Sequence, residues 1–193
     1  MRKALFAAAL PLAIVAATLT AAGAASAATS KAAYSWHVAD DLLEEVVGSP
    51  PFAIAEAPNG DTVALDGVGV LNAGDKTASG SGRFTHYFAA GGSATGTFTA
   101  DGLLSFQFYG CGGEGLPESL CGGLAKLEVT LTPDAAPDVH LSGILWIDCL
   151  IGDKIPAGEE GPARAEGIRL DVPGVANFNE TAEHSGFTVF IPE

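Results

Sequence analysis

The sequence predicts an all-β protein, a single antiparallel β-barrel or sandwich of roughly eight strands. Apolar and polar residues alternate over most of the chain after Pro51, which is the period of a strand with one buried face. Turns rich in Gly and Pro separate these segments, and no helical pattern alternates with them. Hydrophobic residues make up 48% of the chain and charged residues 17%, so a core is expected rather than a disordered tail.

The N-terminus has the three parts of a secretory signal peptide over residues 1–27. Met1-Arg2-Lys3 is a short positive region, and residues 4–19 are almost entirely apolar. Ala25-Ser26-Ala27 supplies the small residues of a peptidase site, so we expect cleavage after Ala27. The apolar run is about 16 residues and a membrane-spanning helix needs about 20, which disfavours an anchor. The protein is therefore expected to be secreted or extracytoplasmic, with no transmembrane segment after signal removal.

The mature chain is strongly acidic. The formal net charge is −14 for the whole sequence, and removal of Arg2 and Lys3 makes the remainder more acidic still. So few basic residues form no patch for a phosphate backbone, and we expect no nucleic-acid partner. The same charge disfavours adsorption to anionic lipid.

Residues 28–51 are expected to be an N-terminal lead-in, and residues 52–193 a single β domain. Within the lead-in, residues 40–47 fit a short helix, because Asp40 suits an N-cap and acidic residues fill the first turn. Gly48-Ser49-Pro50-Pro51 would end it. The alternative is an extended approach to the first strand.

The clearest hairpin spans residues 79–100 around a turn at Ala89-Ala90-Gly91-Gly92. One of its faces combines small residues with four candidate ligand-binding residues, which are Phe84, His86, Phe88 and Phe98. A symmetric register would place Phe84 opposite Phe98. If the sheet curls, the small residues leave a cavity for an apolar ligand, with His86 as its single polar anchor. The alternative is that the glycines allow curvature and the Phe rings simply fill the core.

The chain beyond this hairpin supplies further strands. Asp101-Gly102 fits a turn, after which Leu104, Phe106 and Phe108 would face inward. Glycines recur in strand interiors, where strong curvature uses them, and this favours a barrel over a sandwich. They are Gly67, Gly69, Gly80, Gly82, Gly96 and Gly143.

The three cysteines of an exported chain indicate one disulfide. Cys111 and Cys121 flank a short flexible loop, and closing it contributes about 2.7 kcal/mol in the chain-entropy model. Cys149 is then left over. It shares strand parity with Leu145 and Ile147, so we expect it in the core rather than as a nucleophile or an intermolecular bridge.

The motifs of common catalytic and metal sites are missing from the sequence. It holds no G-x-S-x-G, S-x-x-K, H-E-x-x-H or P-loop, and no C-x-x-C pair. We therefore expect no metal site and no cofactor. Calcium bound by the aspartates near turns is an alternative, but no EF-hand loop is present, and such aspartates usually bond to their own backbone.

Several segments carry a resemblance to a group of known sequences. They are the G-x-F-T hairpin that begins at Gly82, Leu103-Leu104-Ser105-Phe106, Cys149-Leu150-Ile151-Gly152 and Asn177-Phe178-Asn179. Together they resemble uncharacterised exported bacterial proteins rich in β-structure. The resemblance covers most of the mature chain and implies export and a β-rich domain, without an assigned activity or catalytic residues.

The function expected from the sequence is that of an exported, non-enzymatic domain that binds a small apolar ligand or a surface partner. One alternative is a small β-barrel enzyme of isomerase or cyclase type, with His86 as acid or base. Another is a structural envelope module without a pocket.

Overall fold

The computed structural model describes residues 33–113, 115–156, 166–182 and 185–193. The predicted signal peptide, residues 1–27, lies outside them. The described residues form eleven strands and one short helix, and strands hold 64% of them. The predicted all-β, antiparallel fold class is confirmed. The number of strands exceeds the roughly eight expected, because several strands are too short to show an alternating pattern.

The strands are β1 Ala33–Val38, β2 Ala53–Glu56, β3 Thr62–Asn72, β4 Thr77–Tyr87, β5 Ser93–Gly113, β6 Leu116–Pro133, β7 Leu141–Cys149, β8 Gly167–Val172, β9 Ala176–Phe178, β10 Glu180–Thr181 and β11 Thr188–Pro192. The helix α1 spans Asp41–Val47. Among the described residues no helix is long and apolar enough to cross a membrane.

Strand pairing is antiparallel throughout the described sheet, and six strands pair in a closed ring, in the order β1, β3, β4, β5, β6, β11. Two of these strands have two successive neighbours along one edge. Strand β3 pairs first with β2 and then with β1. Strand β6 pairs with β11 at Cys121 and with β7 from Gly123 onward. Strands β7, β8 and β9 therefore branch away from the ring.

Strand β1 lies in the segment 28–51 that the sequence assigns to a lead-in. It pairs with both β3 and β11, so the structure places Ala33–Val38 inside the sheet. Its alternate residues Tyr34, Trp36 and Val38 are buried. The Trp36 ring stacks on Phe98 with 6.5 Å between centroids, which ties the N-terminal strand to the main core.

Helix α1 forms where the sequence predicts it. The Asp40 carboxylate accepts the Leu43 N–H at 3.2 Å as an N-cap. Gly48 ends the helix with a left-handed φ of 67°. Leu43 is the buried residue of the helix and packs against Leu120 and Val189, in a small cluster separate from the main core.

The β4–β5 hairpin forms around the predicted turn, but the predicted pairing of Phe84 with Phe98 is wrong. Phe84 lies opposite Gly96, and Phe98 lies opposite Gly82. A Cβ on Gly96 would lie 2.6 Å from the Phe84 ring. Each aromatic ring thus covers a glycine of the neighbouring strand, and this packing favours the observed register.

The turn predicted at Asp101-Gly102 is also wrong, because β5 runs straight through it. The β5–β6 register shifts between Ala100 and Gly102 and again after Leu103, as β-bulges do. A bulge changes which residues face the core. Leu103 is therefore buried, while Leu104 is 42% and Phe108 36% exposed. Of the predicted inward trio, Phe106 packs against the core, and the half-exposed Phe108 ring only borders it, with 5.7 Å between its centroid and that of Tyr34.

The predicted disulfide joins Cys111 and Cys121. The two residues are directly opposite each other in β5 and β6, so the bridge crosses a long hairpin near its tip. Cys149 is free and fully buried, as expected. Burial raises the pKa of its thiol, which keeps it protonated and unreactive.

Candidate functional site

Three of the four predicted ligand-binding residues line one pocket at the turn end of the β4–β5 hairpin. Its volume is about 210 Å³. We call it the His86 pocket, and its lining is Val63, Phe84, His86, Phe88, Ala94, Leu131, Pro133, Leu141, Leu170, Val172, Val175 and Phe178. Phe88 and Val175 are exposed and form part of its rim, whereas Phe84 and Phe178 are buried. Strands from both the ring and the branch therefore converge on this pocket.

Phe98, the fourth predicted residue, lies elsewhere. Its ring is 2% exposed and stacks on Trp36 in the main core. Its edge lies over Gly67 and Gly82, where an added Cβ would meet it. The hairpin register explains the difference, because it moves Phe98 along the sheet away from Phe84.

His86 is the one polar side chain in this lining. Its Nε2 lies 2.9 Å from the Asp61 Oδ2 atom. Its ring centroid lies 4.5 Å from that of Phe88 and 5.1 Å from that of Phe178, the latter edge-on. A carboxylate and two aromatic rings thus fix the imidazole at the wall of an apolar cavity.

Asp61 is held in its ionised form. Its carboxylate accepts the Ala89 N–H at 2.8 Å, and this hydrogen bond, followed by that of His86, lowers the pKa of the carboxyl. The sequence shows Asp61 only as a turn residue. The β3–β4 register brings it close to His86 because Val63 pairs with His86. The sequence pattern of β3 and β4 therefore predicts the contact between Asp61 and His86 only once the register of the two strands is known.

A second apolar pocket lies at the opposite end of β6, beneath helix α1. Its volume is about 240 Å³. We call it the Glu166 pocket, and its lining is Leu43, Val47, Leu116, Leu120, Ile151, Glu166, Phe187, Thr188 and Val189. The small cluster of Leu43, Leu120 and Val189 forms its floor.

Glu166 is the ionisable group of that pocket. Its Oε1 accepts the Thr188 N–H at 3.2 Å. Burial nevertheless raises the pKa of its carboxyl to about 7, because the loss of hydration outweighs the hydrogen bonds from Thr188 and Leu150. Glu166 is not predicted from the sequence, since an isolated acidic residue outside any motif carries no signal of its burial.

Among the residues that the structure describes, no group of three or more His, Cys, Asp or Glu side chains is placed to hold a metal ion. The chain shows no similarity to any protein family, curated protein or solved structure with which it was compared. Its function is therefore inferred from the pockets alone.

Proposed function

We propose that the mature protein is an exported, non-enzymatic binding domain whose small apolar ligand occupies the His86 pocket. The observation that carries the proposal is an apolar lining around one oriented polar group, the His86 imidazole fixed by Asp61. Sites for small molecules commonly combine a hydrophobic wall with a few well-placed polar groups.

The strand topology and the position of the pocket both support this proposal. The closed ring of six strands favours a small barrel over a sandwich, and the His86 pocket opens where the turns of β4–β5 and β8–β9 meet. The disulfide is compatible with an oxidising compartment. It supports the export that residues 1–27 predict.

The size of the pocket limits the ligand. Its volume of about 210 Å³ exceeds the roughly 150 Å³ of an apolar cavity that binds benzene. It is below the roughly 300 Å³ at which drug-sized sites begin. The ligand is therefore one ring or a short branched chain, and one hydroxyl on it donates to the ring nitrogen of His86 that Asp61 does not occupy.

The test uses p-cresol and toluene as probes, because they differ only in a hydroxyl group. Amide and aromatic chemical shifts are followed by NMR as each probe is titrated into the mature protein. We expect shifts confined to the His86 pocket, and tighter binding of p-cresol than of toluene. A Val175→Trp variant should lose both probes, since the new indole fills the pocket from its rim.

The matched control is Val139→Trp. Val139 is exposed to a similar degree and is not part of the pocket lining. This variant should bind both probes as the parent protein does. Absence of binding in the parent, or equal loss in the two variants, would contradict the proposal.

A second candidate function is a small isomerase or cyclase-type enzyme, which the sequence places at His86 and which Glu166, in the other pocket, now favours instead. A carboxyl whose pKa is about 7 exchanges protons near neutral pH, which suits general acid–base chemistry. Glu166→Gln would then abolish turnover of an apolar substrate while its binding is retained. A binding domain would instead return every ligand unchanged, and a structural envelope module would bind neither probe.

A further inference from the structure

A third cavity, of about 340 Å³, lies on the outer face of β7, β8 and β9. Its wall includes five side chains that can bond or stack, which are Trp146, Arg169, Asp171, Asn177 and Asn179. We call it the Trp146 cavity. None of its five polar or aromatic side chains belongs to the His86 or the Glu166 pocket.

Strand register brings these side chains together. Trp146 lies directly opposite Arg169, and Asp171 lies directly opposite Asn177. Side chains opposite each other in an antiparallel pair are about 5 Å apart. The sequence alone does not indicate this cluster, because β8 and β9 are distant from Trp146 in the chain.

The indole of Trp146 is held between two cations. The Lys126 ammonium lies 4.0 Å from the ring centroid and the Arg169 guanidinium 4.9 Å from it. Arg169 also donates to the Asp148 carboxylate at 3.0 Å. These contacts fix the ring and the guanidinium before any ligand arrives.

The chemistry of the cavity is that of a polyol site. A carboxylate and two carboxamides offer paired acceptors and donors, which match the adjacent hydroxyls of a sugar. The indole edge and Ile144 offer apolar contact for its C–H groups. Positive Lys126 and Arg169 are balanced by Asp148 and Asp171, so the cavity selects no strong net charge.

We propose that the Trp146 cavity binds a neutral carbohydrate. Together with the proposed ligand of the His86 pocket, this site would let the exported domain carry a small apolar molecule while attached to a polysaccharide of its surroundings. The proposal does not depend on the His86 pocket being occupied.

The test titrates four neutral oligosaccharides into the mature protein, namely cellotetraose, chitotetraose, maltotetraose and mannotetraose. The Trp146 indole N–H signal in the ¹H–¹⁵N spectrum reports binding. We expect at least one oligosaccharide to shift it at millimolar concentration. Asn177→Ala should weaken that binding about tenfold, because it removes two hydrogen bonds to hydroxyls.

The control is Gln107→Ala, a loss of an exposed amide on β5 that leaves the cavity intact. It should bind with the affinity of the parent. The remaining ¹H–¹⁵N signals of Asn177→Ala should match those of the parent protein, which shows that weaker binding is not lost structure. The proposal is overturned if none of the four oligosaccharides shifts the indole signal, or if Asn177→Ala and Gln107→Ala weaken binding alike.

Discussion

The carboxyl groups at the two apolar pockets, which lie at opposite ends of β6, have pKa values shifted in opposite directions. Asp61, beside the His86 pocket, accepts hydrogen bonds from Ala89 and His86, and its pKa is lowered. Glu166 also accepts two backbone hydrogen bonds, yet burial raises its pKa to about 7. The pockets have similar volumes and similarly apolar walls. Hydration of the carboxylate therefore decides its charge, and the hydrogen-bond count alone does not.

The difference separates two kinds of behaviour near neutral pH. The Asp61 charge is constant there, so it orients His86 in the same way at every physiological pH. Glu166 changes its charge within that range, so the stability of the fold depends on pH there. A carboxylate of constant charge and a titrating carboxyl group thus lie beside the two ends of the same strand.

The largest expected effect comes from Phe178→Ala, which removes a wall of the His86 pocket. Phe178 is 2% exposed, and truncating such a ring costs about 4 kcal/mol. We expect the free energy of unfolding in urea to fall by that amount. The counterpart at the other pocket, Val47→Ala, should change it far less, because Val47 is 38% exposed. Equal losses would show that the His86 pocket is not part of the main core.

The second prediction concerns Glu166→Gln. The raised pKa means that the folded state keeps a proton that the unfolded state has lost. This contribution to stability is full below pH 4.5, the ordinary pKa of the group, and is lost as pH rises to about 7. The variant has no such loss, so at pH 8 it should be more stable than the parent by about 3 kcal/mol, relative to their difference at pH 4.

Urea unfolding at a series of pH values measures this difference. The variant retains an amide oxygen that accepts the Thr188 N–H, so it isolates the charge. A difference that does not vary between pH 4 and pH 8 would refute the buried, protonated carboxyl.

A smaller effect is expected for His86→Leu on ligand binding. Replacing the imidazole with a side chain that forms no hydrogen bond should weaken p-cresol about tenfold, because one hydrogen bond to the ligand hydroxyl is lost. Toluene has no hydroxyl, and its affinity should change less than about threefold. Equal weakening of the two probes would mean that His86 shapes the pocket without anchoring a polar group.

The smallest effect is expected for Asp61→Asn, and its pH dependence has the opposite sign to that of Glu166→Gln. The lowered pKa means that Asp61 stabilises the fold above its ordinary pKa of 3.8 and loses this as pH falls through the folded value. The parent should therefore gain stability over the variant as pH rises from acid toward 5. A pH series of unfolding curves would show a constant difference if the hydrogen bonds of Asp61 were unimportant.

The sequence predicts the β4–β5 hairpin, helix α1 and the disulfide because each depends on local signals. Alternation marks β4, Asp40 and Gly48 mark the helix ends, and the Cys111–Cys121 spacing fits one loop. The bulges in β5 are different. The register shift between Ala100 and Gly102 depends on how β5 packs along β6. No local pattern distinguishes such a bulge from a turn.

The candidate site divides in the same way. Phe84 and His86 lie on one face of β4, and Phe88 directly follows the strand on the same side. The alternation of residues along the strand therefore groups the three correctly. Phe98 shares that parity but is moved into the core by the register of the hairpin. Glu166 depends on Thr188 and on helix α1, which are distant in the chain, and its burial is a property of the assembled fold.

The most direct test of the central claim is native mass spectrometry of the mature protein purified from the exterior of its own host. We predict the mass of a chain that begins at Ala28 and contains one disulfide. We also predict a small added mass that is lost on denaturation. Val139→Trp should retain the added mass and Val175→Trp should lose it. A bare parent protein, still bare after incubation with a lipid extract of that host, would contradict the assignment of the His86 pocket as a ligand site.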